Sequence, residues 1–181
     1  MSLKQMAFIS LLITLSGCQY VKVQSLQMSG LVSAFYPDSD SDSDSDSLPA
    51  AGWSVQYGGV TATVRPLAAG ALTAFVNDRD AILFDGWTIT KVIGLKSFRP
   101  AWEIQDLGRE RTFNVNGQVV AVHQCDPWVE IESDDGVRFE QQCMGSQAYT
   151  NTILVDSLGK ITHISQVVDS TFMLLKLDLN N

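Results

Sequence analysis

From Leu48 onward, apolar residues fall at every second position in short runs, and turn-forming residues separate the runs. Trp53, Val55 and Tyr57 alternate with polar residues, Gly58-Gly59 permits a reversal, and Val60, Ala62 and Val64 alternate again before Pro66. A period of two sends successive side chains to opposite faces, so each run reads as a half-buried strand. Further strands are predicted at 72 to 76, 81 to 84 and 87 to 92, the last two joined by Asp85-Gly86. Residues 113 to 115 and 118 to 123 flank Asn116-Gly117, an equally good two-residue hairpin signal. Residues 128 to 132 and 137 to 142 flank Ser133-Asp134-Asp135-Gly136; strands at 150 to 155, 160 to 168 and 172 to 179 follow, with a turn at 156 to 159. About ten short strands at regular spacing predict an all-β fold, a mainly antiparallel meander that forms a sandwich or a partly open barrel.

The pattern ahead of this region is different. Met28, Leu31, Val32 and Phe35 stand at helical spacing and predict a short amphipathic helix within residues 19 to 35. With only Lys22 as a cation, that stripe is expected to dock on the domain; a helix lying on a bilayer would carry more Lys or Arg. Pro37 ends it, and Asp38-Ser39 then repeats through Asp46-Ser47. A tract of dense like charge with no apolar residue buries nothing, so a disordered spacer is expected, spanning roughly 17 Å. Alternate Asp residues imitate the opening of a calcium loop, but the turn glycine and the closing bidentate Glu are missing.

At the N-terminus, Lys4 precedes the apolar run from Met6 to Ile13, too short to span a bilayer and followed by small residues. That order describes a secretory signal. Leu15-Ser16-Gly17-Cys18 resembles the lipobox of bacterial lipoproteins, which implies recognition and cleavage at Leu15, Ser16 and Gly17 and lipid attachment at Cys18. The expected organisation is a signal peptide at 1–17, a lipid-anchored tether at 18–47 and a periplasmic β domain at 48–181. Several acyl chains hold a protein far more firmly than a single myristoyl chain does. Gln19 is not the Asp that retains such lipoproteins at the inner membrane, so the resemblance implies a periplasm-facing anchor in the outer membrane.

The formal charge of -8 argues against nucleic acid as a partner, because a phosphate backbone demands a basic surface. Much of the acidity lies in the Asp-Ser tract, so the β domain is only mildly acidic. Once Cys18 is lipidated, Cys125 and Cys143 remain as an even pair in an oxidising compartment. Folding the intervening hairpin back places them nearly opposite one another, and a disulfide is predicted. A metal pair or redox couple lacks support, since the spacing is not C-x-x-C and only His123 lies nearby.

No catalytic motif appears: G-x-S-x-G, a phosphate-binding Gly loop and H-E-x-x-H are all missing. His123 and His163 read as strand residues, and Asp156-Ser157 near His163 reads as turn chemistry. Glu130 and Glu132 share one strand face and read as its solvated side, opposite Val129 and Ile131. Trp53, Trp87 and Trp128 fall in strand patterns and are expected in the core, whereas Trp102 beside Pro100 is uncommitted. No catalytic residue, metal site or cofactor is predicted.

Several short matches resemble the YjbF/GfcB type of capsule and exopolysaccharide-associated outer-membrane lipoprotein. They are Leu48-Pro49-Ala50-Ala51, Arg79-Asp80-Ala81-Ile82-Leu83-Phe84 with Gly86, Lys91-Val92-Ile93-Gly94-Leu95, and Val155-Asp156-Ser157-Leu158-Gly159-Lys160-Ile161 with Ser165-Gln166. The chain departs from that pattern at Asp85-Gly86-Trp87, Leu154 and Leu175-Lys176-Leu177, and the Asp-Ser tract and cysteine pair are additions. The resemblance implies a β-rich, non-enzymatic accessory to polysaccharide assembly or export, partnered by the outer membrane and the export machinery. The competing expectation is a carrier that holds a hydrophobic ligand in a β half-barrel, with Trp and Leu side chains lining an accessible cavity.

Overall fold

The alternating runs become an almost unbroken antiparallel ladder. The computed structural model describes residues 52–95, 98–133 and 136–180; the signal, the lipobox tetrad, the segment at 19 to 35 and the Asp-Ser tract lie outside them. The described residues form one thirteen-stranded sheet without a helix. Its first half contains β1 (Trp53–Tyr57), β2 (Val60–Ala69), β3 (Leu72–Val76), β4 (Ala81–Phe84), β5 (Ile89–Gly94), β6 (Phe98–Asp106) and β7 (Glu110–Val115). Its second half contains β8 (Gln118–Cys125), β9 (Val129–Ser133), β10 (Gly136–Met144), β11 (Ala148–Asp156), β12 (Ile161–Val167) and β13 (Leu174–Leu179).

Each strand from β1 to β7 pairs with the next in sequence, and β13 pairs with β1, Trp53 lying opposite Leu179. The sheet closes at β10, which pairs along its length with β11 and divides its other edge between two neighbours. Cys143 and Met144 take Cys125 and Gln124 of β8, while residues 136–140 take β9. Twelve of the thirteen strands therefore form a closed, barrel-like ring, and β9 continues the line of β8 outside it.

Cross-strand partners share a face, so the register assembles the core directly. Val55, Leu177, Ile164, Ile153 and Phe139 are successive partners across five neighbouring strands, and all are buried. On the other side of the ring, Phe75, Ile82, Val92 and Trp102 form a second such row. Trp53 fills the space beside them with its ring edge-on to Phe75, the centroids 5.0 Å apart.

Three expectations change in detail. The strand expected from Trp87 begins at Ile89, because the connection after Phe84 is four residues long: Asp85 N–H donates to the Thr88 carbonyl, and the Asp85 carboxylate accepts from the amides of Trp87 and Thr88. Trp87 and Trp128 consequently stand on connections rather than strands, though both pack against the core. β6 was not among the expected strands. Pro100 masks it, since proline removes a ladder donor, and the ladder with β5 shifts register there.

Candidate functional site

Counted along their strands, several polar residues are in phase with the core. Arg111 is two positions from Phe113, Gln141 two from Phe139, Asn151 two from Ile153 and Gln166 two from Ile164; all eight are buried. Alternation alone turns these polar side chains inward. The ladder then brings them together: Asp106 is opposite Arg111, Arg111 opposite His123, and Gln141 opposite Asn151.

Gln166 joins the two sides of the ring. Its Oε1 accepts from Arg111 Nη2 at 2.9 Å and from the Ile89 amide at 3.0 Å, and its Nε2 donates to the Trp87 carbonyl at 2.6 Å. Asn151 donates to Gln141 Oε1 and accepts the Val167 amide, each at 3.0 Å, while Gln141 Nε2 donates to Asp106 at 2.9 Å. Arg111 Nη2 also reaches the Val167 carbonyl at 3.3 Å, and its Nη1 stands 3.7 Å from the Asp106 carboxylate. Arg111 Nε and Nη1 and the Trp87 indole N–H are buried without hydrogen-bond partners. Burial pushes the Arg111 pKa down, and Tyr149, Asp106 and Asp85 oppose that shift.

Beside this network lies an aromatic stack. His123 is parallel to Phe172 at 4.9 Å between centroids, tilted against Phe113 at 4.6 Å, and its Nδ1 lies 2.9 Å from the Tyr149 hydroxyl. Burial, and then the Arg111 cation, hold the His123 pKa below its ordinary value; burial raises the Tyr149 phenol to about 12. Phe172 adopts a left-handed backbone, φ 62°, at the end of the connection between β12 and β13. Asp169 fixes that connection by accepting from the Tyr57 hydroxyl and from the Thr171 amide and hydroxyl.

Cys125 and Cys143 form a disulfide at the seam, their Cα atoms 4.0 Å apart. The cystine borders an open groove of about 400 Å³ whose walls include Arg109, Gln124, Asp126, Gln142 and Met144. Amides, a guanidinium and a carboxylate equip it for hydrogen bonding, but none of these groups is a nucleophile paired with a base.

The other sequence-predicted candidates separate. His123 and His163 lie on strands, as expected. His163 Nδ1 is 2.5 Å from Asp178, its cross-strand partner on β13. Asp156 accepts the amides of Leu158 and Lys160, which is the turn role anticipated for it. Glu130 and Glu132 are exposed, and so is Val129, because β9 lies outside the ring. Among the described residues, no three His, Cys, Asp or Glu side chains converge to hold a metal ion.

Two of the segments that carry the resemblance have structural roles. Asp80 accepts the Leu95 amide at 2.7 Å, and a Cβ at Gly94 would meet the Asp80 carboxylate at 2.4 Å and the Arg79 carbonyl at 2.5 Å. Gln166 ties the ring together internally. Spacing along the chain does not disclose the Arg111 network because its partners lie up to 79 positions apart, although an arginine in phase with a core phenylalanine is the available signal.

No protein-family model matches the chain, and no curated protein matches it. Among solved structures it is similar to the crystal structure of the hypothetical lipoprotein YmcC from Escherichia coli (K12), with 11% sequence identity, a TM-score of 0.53, and coverage of 74% of this chain and 85% of that one. At that identity the likeness establishes the fold alone: the all-β, barrel-like sheet is an architecture that a solved protein also adopts.

Proposed function

We propose that the chain is an outer-membrane lipoprotein, anchored through Cys18, whose β domain serves as a non-enzymatic accessory to capsule or exopolysaccharide assembly or export. The observation that carries the anchor is the Leu15-Ser16-Gly17-Cys18 tetrad ahead of a domain that shares its fold with a protein described as a lipoprotein. The accessory role rests on the resemblance carried by the segments around Asp80, Gly94 and Gln166. Burial of Trp53, Phe75, Phe84 and Phe113 in the core supports it over a carrier, which would need aromatic side chains accessible to a ligand. In the groove beside the cystine, Arg109, Gln124, Asp126 and Gln142 offer hydrogen-bonding groups to a hydroxyl-rich partner.

Replacing Cys18 with Ser is expected to abolish metabolic labelling with palmitate and to release the protein from outer-membrane fractions; unchanged labelling would refute the anchor. Deleting the gene is expected to reduce cell-surface polysaccharide without impairing growth. Normal polysaccharide in that strain would refute the export role.

A further inference from the structure

The two sulfurs of the seam cystine have unequal surroundings. Asn151 Nδ2 lies 3.5 Å from Cys143 Sγ, and Gln141 Oε1 lies 3.7 Å from the same atom. Both amides are buried and fixed, since Asn151 also donates to Gln141 and accepts the Val167 amide. Among the described residues, no side chain is placed to donate to Cys125 Sγ. A donor on one sulfur stabilises its thiolate form, which makes Cys143 the better leaving group in thiol–disulfide exchange. Once released, a Cys143 thiol also finds an acceptor in Gln141 Oε1.

Access comes from the groove. Each cysteine is 4% exposed and both border the opening of about 400 Å³, a volume that takes a molecule the size of a short peptide. Arg109 and Asp126 stand on its walls, exposed, and neither forms an ion pair among the described residues. One cation and one anion match a ligand that carries both a carboxylate and an ammonium group.

We propose that Cys125 is a site of thiol exchange, at which a small amino-acid or peptide thiol seats in the groove and forms a mixed disulfide. The ligand's carboxylate meets Arg109 and its ammonium meets Asp126. Its thiolate attacks Cys125 Sγ; the new S–S bond forms as the bond to Cys143 breaks, and the electron pair leaves on Cys143 Sγ, which takes a proton from water. The incoming thiol is oxidised to the disulfide level while Cys143 is reduced to a thiol, so the exchange balances without a further oxidant or reductant. It removes the covalent staple and leaves the seam on its two register pairs. It depends on neither the anchor nor the export role.

The test uses the folded full chain in detergent, any free thiol first blocked with iodoacetamide. After exposure to millimolar glutathione and rapid alkylation with N-ethylmaleimide, peptide mass mapping should find glutathione on Cys125 and maleimide on Cys143, in about tenfold excess over the reverse arrangement. Glutathione should also react several-fold faster than 2-mercaptoethanol, each rate being divided by that thiol's rate toward hydroxyethyl disulfide. The R109Q/D126N double variant, changed only at exposed positions, should erase that advantage and keep the preference for Cys125. Glutathione on Cys143, or on both cysteines equally, overturns the proposal. So does exchange that occurs only in urea, an equal normalised rate for the two thiols, or an advantage that survives R109Q/D126N.

Discussion

A Cβ atom at position 145 would lie 2.7 Å from the His123 ring and from Phe172, so Gly145 is where the turn after β10 passes against the aromatic stack. Gly145→Ala must displace packed rings and should destabilise the domain by about 1–3 kcal/mol, read from urea denaturation. His123, at the centre of that stack, titrates less readily than a free histidine, with a pKa below 6.5. Below that value the unfolded chain binds the proton more readily than the native one. This contribution to stability is therefore fully present above pH 6.5 and is lost as the pH falls from there toward the folded pKa. Thermal unfolding should shift to lower temperature on acidification from about pH 7.5 to 5.5, and His123→Phe, which keeps a ring in the stack, should flatten that dependence. An unchanged slope in His123→Phe would assign the effect to another group. The two histidines and Trp53 were legible as strand residues because alternation alone decides which way they face. Arg111 was not, since its acceptors on Gln166 and Val167 arrive from the far side of the ring.

The seam between β8 and β10 is the thinnest junction in the ring, with two register pairs and a backbone bond from the Asp126 amide to the Gln142 carbonyl. The cystine reinforces that point. Replacing both Cys125 and Cys143 with Ala should cost about 3 kcal/mol, the scale expected for a loop of this size. Hydrogen exchange should quicken first at 124 to 126 and 142 to 144; uniform acceleration over the whole ladder would show that the bridge acts only on global stability. At this scale the hairpin connecting the two cysteines was legible from its turn chemistry, and the structure sets them opposite each other as register partners. β6 was hidden by Pro100, because a strand broken by a bulge looks like a loop when only spacing is available.

For the whole molecule, the fold class followed from repeated alternation, but ring closure did not, because spacing along a chain carries no information about which distant edges meet. β13 lies between β1 and β12, brings Leu179 to Trp53 and shields an edge of each neighbour. Truncation after Phe172 should expose those edges together and abolish cooperative unfolding, monitored by circular dichroism; a truncated chain that still melted sharply would place the structural limit elsewhere. The same pairing imposes an order in time. A polypeptide delivered from its N-terminus exposes β1 first, yet that strand's second neighbour is the last of the thirteen to arrive. Strands β1 to β8 can add one by one as hairpins, whereas the ring waits for delivery of everything up to Leu179. Chaperoning would therefore matter most in the interval when the early strands are already paired and β1 still lacks β13.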